Sequence, residues 1–573
     1  MKKTSLPARS ITVSELLRNS ALILLLFICI THALVLIVYL TNKVLLPFAF
    51  PLALILSLVI PFSLEGRWRN KKQECLWAGA ICLGVIAISL LLSWFYYDLS
   101  WDGQWYHQAA IYHLESGWNP LHKPIETFDK NNDLSIIHFP KGSWYYAASV
   151  LSTFGNPEAG KSINWIILFA AIFMLYATLK DLGLSKLNSV LLTSLIALNP
   201  VVWSEITTYL VDGLLFLYLV MYMAAFVDCI RKPTITSLFT GALAAICLIN
   251  IKFTGLVFLC AIAFFAAVYI VIWKRNYLKK FIVTHISVIV AGVLIFGYNP
   301  YVTNFIERGH PLYPIMGSSA YPSIFEQTKE DSNEKWETPQ NMVGKNLFVR
   351  FFYATFGRPG NAPYNKEKGA ELILPFTSKP SDWKAYYYHE TRVSGFGPFF
   401  SGIVILSTIA MLIVFFTYKK TRWILLLCMA SVLSTLFFSK HLWWPRLAPQ
   451  TWLLVILPAI FLLHKQTTIN IKRFATVLAV LIAINGFIVL IAHMSWETNS
   501  SIALRKELSE IQLSQRPIEI DYGYFKKSME EKLNRKGIKF KSVKRKLIKK
   551  SVHKTLTSVV QGYPNMVIWR EGE

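Results

Sequence analysis

Long apolar segments recur along most of this 573-residue chain and constrain its fold more than any other feature. Each is roughly 18–22 residues long, close to the ~20 helical residues that span about 30 Å of hydrocarbon. Because backbone groups in lipid must be hydrogen-bonded within the protein, such segments are predicted to be helices. The composition, 54% hydrophobic, therefore predicts an all-α protein that crosses a bilayer many times.

The pattern predicts about thirteen crossings. The pair at 235–273 is the hardest to interpret, since Lys252, Thr254 and Gly255 interrupt it; it could be a tight hairpin or one broken helix. The first segment has no convincing cleavage site and is expected to stay as a helix. The predicted spans are 20–41, 44–64, 76–97, 162–179, 187–203, 209–229, 235–250, 254–273, 281–298, 397–417, 423–438, 447–463 and 474–493.

The net charge of +25 is concentrated in short clusters between the apolar segments and in the C-terminal tail. Positive residues favour cytoplasmic loops, so the clusters indicate membrane orientation better than nucleic-acid binding. With the N-terminus in the cytoplasm, the short outside loops carry only Lys43, Lys252, Lys440 and Arg446. The short inside loops carry Arg67, Arg69, Lys71, Lys72, Lys180, Lys186, Arg231, Lys232, Lys274, Arg275, Lys279, Lys280, Lys419, Lys420, Arg422, Lys465, Lys472 and Arg473.

This map makes three long segments external, at about 98–161, 299–396 and 494–573. The last is basic, and its pattern predicts a small α/β domain with strands at Arg516–Tyr522 and Asn565–Arg570 and a helix at Tyr524–Lys536. The alternative is a solvated or headgroup-facing tail.

The seven cysteines lie in or beside apolar segments, and none forms a CxxC pair. They predict buried thiols and neither a disulfide framework nor a cysteine metal site. His107 and His441 fit no standard zinc signature, so no metal site is predicted. No phosphate-binding G-x-x-x-x-G-K-[ST] sequence is present, which gives no support to an ATP-driven pump.

The first long segment carries the most chemistry, with Asp98 and Asp102 followed by Tyr106 and His107. An interfacial belt explains many of its aromatic residues, because Trp and Tyr concentrate at headgroup depth. It explains the two carboxylates less well, since charge at a membrane boundary is unfavourable unless solvated or used. The acid pair is therefore a candidate functional site.

Asp102-Gly103-Gln104-Trp105-Tyr106 resembles the acidic D-E-x-x-Y motif of the GT-C superfamily of polyprenyl-phosphate-sugar-dependent glycosyltransferases. The nearest pattern is that of the protein O-mannosyltransferase and aminoarabinose transferase type. Gly103 replaces the family's second acid, and Asp98, one helical turn earlier, could substitute for it.

Further matches follow in order over about 76–465. Asp212 resembles a family acid at the external end of a helix, and Lys252 resembles the lysine of a G-L-x-x-x-T-K-x-x-G helix. The looser matches are Gly117–Pro120, Pro140–Trp144, the turn Gly309–Pro314 and Trp444–Pro449.

The resemblance implies a GT-C fold of the type A kind with a seven-helix module at 76–298, preceded by two extra helices in 1–75. The second external loop at 299–396, four helices at 397–493 and the external domain at 494–573 would complete the chain. It implies an inverting enzyme in the bacterial plasma or inner membrane, with the C-terminus external. The partners would be a polyprenyl-phosphate-linked sugar donor, a lipid, glycan or protein acceptor, and membrane lipids, but no nucleic acid. No cofactor is implied, although the acid pair could hold a divalent ion.

Within this interpretation Asp102 is the expected base, because inverting transfer needs a carboxylate to take the acceptor proton. Asp98 and Asp212 could orient the acceptor or the sugar. Cations near the lipid phosphate would stabilise the leaving group. The candidate substrate-binding residues are Tyr106, His107, Lys141, Asp212, Lys252, His310, Arg358 and Arg446.

Three of these cations also have a structural alternative. Lys252 could extend its charge to the membrane surface, Arg446 could anchor to lipid headgroups, and Arg358 could belong to a plain turn. At the level of the whole protein, the rivals are a lipid-linked glycan polymerase or ligase, a transporter or flippase, and a non-catalytic scaffold. No internal repeat supports transport, and the ionisable residues lie at helix ends and not at mid-membrane.

Overall fold

A computed structural model describes residues 12–43, 47–64, 72–122, 133–327, 338–361, 369–438, 441–464, 468–548, 554–558 and 567–572. Among the basic residues used to predict the topology, those outside these ranges are Arg67, Arg69, Lys71, Lys440 and Lys465.

Long apolar helices dominate the described part of the chain. Eight of them are long and apolar enough to cross a membrane, which identifies a helical membrane protein. Their bounds are Val13–Leu40, Gln73–Phe95, Pro157–Asp181, Asp212–Arg231, Phe253–Trp273, Arg275–Phe296, Phe400–Thr417 and Ile469–Ser514. Shorter apolar helices are Ala49–Pro61, Lys186–Ala197, Ile235–Ile251, Leu347–Phe356, Arg422–Phe437 and Thr451–His464.

Every predicted span contains one of these apolar helices, but five of the predicted spans hold a shorter helix. The number of thirteen crossings therefore stays a prediction. Leu347–Phe356 lies in the second long segment, where no span is predicted.

The first helix lies inside the bundle and not at its edge. Val13–Leu40 packs against Ala49–Leu64, Lys72–Phe95, Ser162–Asp181 and Ile235–Ile251. Its residues Ala21, Leu24 and Phe27 are fully buried. The first helix thus packs among helices that the sequence analysis placed in the seven-helix module.

The uncertain pair at 235–273 forms two helices that fold back on each other at Lys252. Lys252 has an extended backbone, with φ −159° and ψ 145°, between Ile235–Ile251 and Phe253–Trp273. A Cβ atom at Gly255 would run into the backbone carbonyl of Leu248, seven residues earlier. A straight helix would keep these residues about 10 Å apart, so the pair is a tight hairpin.

The first two of the three long segments, 98–161 and 299–396, contain short helices. The first contains Gln108–Glu115, Asp133–His138 and Gly142–Phe154. The second contains Thr303–Arg308, Ile324–Gln327, Leu347–Phe356 and the 3₁₀ turn Pro380–Tyr387.

The C-terminal segment contains the predicted small α/β domain. Strands β1 (Ile518–Asp521), β2 (Phe540–Ser542), β3 (Lys554–Thr555) and β4 (Ile568–Glu571) form one sheet in the order β2-β1-β4-β3. The β1–β2 pair is parallel, and the other two pairs are antiparallel. The predicted helix is found at Lys526–Arg535, and both predicted strands are found, although Asn565 lies outside the described residues.

This domain packs on the first long segment. Leu99 shares a buried core with Phe525, Met529 and Leu533. The Ser528 hydroxyl donates a hydrogen bond to Gln108, whose helix follows the acidic motif. The domain is therefore part of the packed protein and not a solvated tail.

We expect Leu533→Ala to loosen this domain from the first long segment. Leu533 is fully buried, and truncating a buried leucine costs about 2–5 kcal/mol. Limited proteolysis should cut the variant faster than wild type within 515–573. Leu547→Ala is the control, because Leu547 is 58% exposed; equal protection of both variants would contradict the described packing.

Candidate functional site

Asp98 holds the start of the first long segment in place. Its buried carboxylate accepts hydrogen bonds from the Ser100 N–H at 2.9 Å, the Ser100 hydroxyl at 2.6 Å and the Tyr209 N–H at 2.8 Å. Burial raises the pKa of Asp98 above its ordinary value. Both carboxylate oxygens of Asp98 accept hydrogen bonds from the protein, so Asp98 is placed to position the loop.

The backbone after Asp102 winds into a π-helical turn over Gly103–His107. A Cβ atom at Gly103 would collide with the Asp98 carboxylate and the Ser100 hydroxyl. This turn therefore has no room for the second acid of the D-E-x-x-Y motif. Such π-helical turns are frequent at functional sites, where they redirect side chains.

Asp102 belongs to a group of charged residues around Arg446 that we call the Arg446 cluster. Its members are Asp102, Glu205, Asp212, Lys252, Glu390 and Arg446.

Arg446 joins most of these groups. Its Nη2 is 2.5 Å from Asp102 Oδ2, its Nε is 3.0 Å from Asp212 Oδ2, and its Nη1 is 3.1 Å from Glu390 Oε2. Burial works against the guanidinium charge, but the surrounding carboxylates, Glu390 foremost, raise the pKa of Arg446 above its ordinary value. Arg446 is 9% exposed, so it is an interior charge and not a headgroup anchor.

Asp212 and Lys252 form the other ion pair of the cluster. Asp212 begins the helix Asp212–Arg231, where the positive end of the helix dipole favours a carboxylate. Its Oδ1 is 2.5 Å from Lys252 Nζ. The extended backbone at Lys252 places this lysine beside Asp212, so it is paired inside the protein.

Glu205 and Glu390 are members that the sequence analysis did not identify. Glu205 Oε2 accepts the Gly213 N–H at 2.7 Å, and its Oε1 is 3.8 Å from Arg446 Nε. Burial, with the neighbouring Asp212, raises the pKa of Glu205 well above its ordinary value. Because four carboxylates face two cations in the cluster, a protonated Glu205 lowers the excess of negative charge.

Tyr106 and His107 lie next to the cluster on the π-helical turn. Their rings stack with centroids 4.3 Å apart, and Trp144 Nε1 donates a 2.7 Å hydrogen bond to His107 Nδ1. Burial lowers the pKa of His107 to about 3, so the ring is neutral and carries its proton on Nε2. That Nε2 is buried without a hydrogen-bond partner in the described part of the chain.

Lys141 is buried apart from the carboxylates. Its Nζ donates to the carbonyls of Ile137 at 2.7 Å and Phe139 at 3.0 Å, and it lies 5.7 Å from the Trp118 ring. Burial lowers the pKa of Lys141 well below its ordinary value. Two carbonyls and two aromatic rings surround this lysine within the first long segment.

His310 and Arg358 lie outside the cluster and have local partners. His310 Nδ1 accepts the Leu312 N–H at 3.1 Å in a turn. Arg358 pairs with Glu371 and Asp382, each at 3.0 Å, in the second long segment. The structure therefore joins Asp102, Asp212, Lys252 and Arg446, with Tyr106 and His107 beside them.

No protein-family model matches this chain, and no curated protein matches it significantly. The fold defines the class, a helical membrane protein with a buried ionic site at the ends of its helices.

Gly103→Ala should destabilise the acidic loop. The added methyl group would displace the Asp98 carboxylate or the turn, and such overpacking costs about 1–3 kcal/mol. Gly84→Ala is the matched control, because no atom lies within 4 Å of a Cβ there. The melting temperature in detergent should fall for Gly103→Ala only; a fall for both variants, or for neither, would contradict this account.

Asp212→Asn and Glu205→Gln should differ sharply in stability. The first leaves Lys252 and Arg446 without a shared carboxylate, a loss of about 3–5 kcal/mol for a buried pair. The second resembles a protonated Glu205 and keeps an acceptor for the Gly213 N–H, so it should change stability by about 1 kcal/mol or less.

The pH dependence gives an independent measurement. A carboxyl whose folded-state pKa is raised stabilises the fold at low pH, and this stability is lost as the pH rises through that pKa. Thermal melts across neutral and alkaline pH should therefore fall less steeply for Glu205→Gln than for wild type. Parallel curves would show that Glu205 is ionised throughout.

Proposed function

We propose that this protein is an inverting glycosyltransferase that moves a sugar from a polyprenyl-phosphate donor to a cell-envelope acceptor. The observation that carries the proposal is the convergence of Asp102, Asp212, Lys252 and Arg446 in one largely buried cluster. These four residues occupy separate GT-C-like motifs, and Asp102 and Arg446 are 344 positions apart in the chain.

Asp102 is the base in this proposal. Its side chain is 20% exposed, and Arg446 contacts only its Oδ2 atom. The other oxygen is available to an acceptor hydroxyl that attacks the anomeric carbon. The hydroxyl proton passes to the carboxylate as the bond between the sugar and the lipid phosphate breaks.

The donor phosphate would bind on the cationic side of the cluster. Arg446 presents a planar fork that suits phosphate as well as carboxylate, and Lys252 supplies a second charge. The His107 Nε2–H is a buried donor with no partner among the described residues. A phosphate that replaces Asp102 on Arg446 would free that carboxylate, so donor binding and activation of the base would occur together.

The position of the cluster suits an amphipathic substrate. Asp102 lies shortly after the C-terminal end of the helix Gln73–Phe95. Asp212 is the first residue of another long apolar helix, Asp212–Arg231. A lipid tail could lie between apolar helices while its phosphate reaches the charges at their ends. In the predicted topology this end of the bundle is external.

Asp102→Asn should abolish transfer while preserving the fold. Loss of a general base lowers the rate by about 10²–10⁴-fold. Membranes containing the full chain would be incubated with radiolabelled polyprenyl-phosphate sugars, and loss of label from the donor would be measured. Glu510→Gln is the control, because Glu510 is an exposed acid whose ion pair is 3.9 Å long.

The same variants should be expressed in the native bacterium after deletion of the gene that encodes this protein. Mass spectrometry of envelope lipids, glycans and proteins would identify the acceptor and would separate sugar transfer from glycan polymerisation or ligation. If Asp102→Asn restores wild-type envelope composition at equal protein levels, the catalytic role of Asp102 is excluded.

A further inference from the structure

A second group of titratable side chains, two histidines and a glutamate, lies beside the Arg446 cluster. His493 and Glu497 are four residues apart on the helix Ile469–Ser514 and therefore share one face of it. His389 reaches them from the second long segment. All three side chains are buried, and their candidate ligand atoms lie within 4.8 Å of one another.

The polar atoms of this group lack conventional hydrogen bonds. His389 Nε2, His493 Nε2 and both Glu497 oxygens are buried without a hydrogen-bond partner among the described residues. The Thr207 hydroxyl, which also lacks a well-formed hydrogen bond, faces Glu497. An unsatisfied buried polar group costs about 1–3 kcal/mol, so several in one place indicate a missing shared partner.

The orientation of His493 is that of a metal ligand. Its Nδ1 lies 3.0 Å from the Tyr386 carbonyl, which can only accept, so Nδ1 carries the proton. Nε2 then carries the lone pair, and the candidate ligand atoms of His389, His493 and Glu497 lie within 4.8 Å of one another. Metal-bound histidines usually donate their second N–H to a carbonyl or carboxylate in this way.

We propose that His389, His493 and Glu497 bind one divalent transition-metal ion, with zinc as the expected ion. Two imidazoles and one carboxylate form a common three-residue zinc set, and water or the Thr207 hydroxyl would complete a tetrahedron. The set contains no thiolate, and its two nitrogen ligands favour zinc over magnesium or calcium.

The ion would fix the second long segment to the last long helix. Glu390, which follows His389, contacts Arg446 Nη1 at 3.1 Å. Tyr386, His389 and Arg446 also line one small cavity. Metal binding at His389 would therefore position Glu390 in the Arg446 cluster, and this inference does not depend on the transferase proposal.

An ion pair without metal is the competing explanation. His389 Nε2 is 3.3 Å from Glu497 Oε2, which a protonated histidine would stabilise. That arrangement gives His493 Nε2 no partner and predicts no metal. Metal content therefore distinguishes the two explanations.

The test uses the full chain, expressed with added zinc and purified in detergent through a tag without histidine. Inductively coupled plasma mass spectrometry should find about one zinc ion per wild-type chain, and Glu497→Gln and His389→Ala should each hold less than about a tenth of that. His122→Gln is the control for adventitious binding, because His122 is exposed. Glu497→His replaces one zinc ligand by another and should retain the ion.

Cobalt-substituted wild type should show the visible absorption of tetrahedral Co²⁺, and this signal should be absent from Glu497→Gln. Wild-type protein without zinc, or Glu497→Gln with wild-type zinc content, would overturn the proposal. A different transition metal at one per chain, lost in the same variants, would support the site and correct the identity of the ion.

Discussion

The buried guanidinium of Arg446 is the interaction on which the arrangement of the site depends. A charge removed from water is unfavourable unless opposite charges and hydrogen bonds replace the solvent. Those replacements come from four carboxylates in four separate parts of the chain, Asp102, Glu205, Asp212 and Glu390. Arg446 has all four of these neighbours only when the four segments meet, so the cluster favours that one packing. The same requirement places the loop that carries Asp102, two helix ends and the second long segment around a common point.

The sequence predicted the helices well and their packing poorly, for a physical reason. The length of an apolar segment reports the thickness of hydrocarbon, and every predicted span contains a helix. Lipid-facing and core-facing positions are both apolar, however, so hydrophobicity does not show which helix is central. Val13–Leu40 illustrates this, since it is the most apolar of the eight long helices but packs inside the bundle. The C-terminal domain was easier to predict, because alternating patterns in a polar segment identify strands directly.

The site was partly predictable for a related reason. Asp102 stands out as a charge beside an apolar segment, which needs a partner. Asp212, Lys252 and Arg446 share this property, but they were identified through their resemblance to GT-C motifs. Glu205 and Glu390 have the same property, but nothing in their spacing links them to residues more than 50 positions away. His310 and Arg358 stand in Gly-Pro contexts that encode turns, and each has local partners in the structure. For the proposed metal site, the available signal was His493 and Glu497 at helical spacing within an apolar helix, while His389 could be assigned only from the fold.

The loop that carries Asp98 and Asp102 is held by the helical bundle, by the C-terminal domain and by the Arg446 cluster. Asp98 ties the loop to the bundle through the Tyr209 backbone, and Leu99 and Trp101 pack into the core of the C-terminal domain. Asp102 follows directly and is held by Arg446. On the far side of Arg446, consecutive residues of the second long segment serve the two centres, with Glu390 in the cluster and His389 in the histidine–glutamate group. Because the geometry of a site depends on the residues that pack around it, the C-terminal domain contributes to the Arg446 cluster through the loop that it holds, even where it touches no charged residue of the cluster.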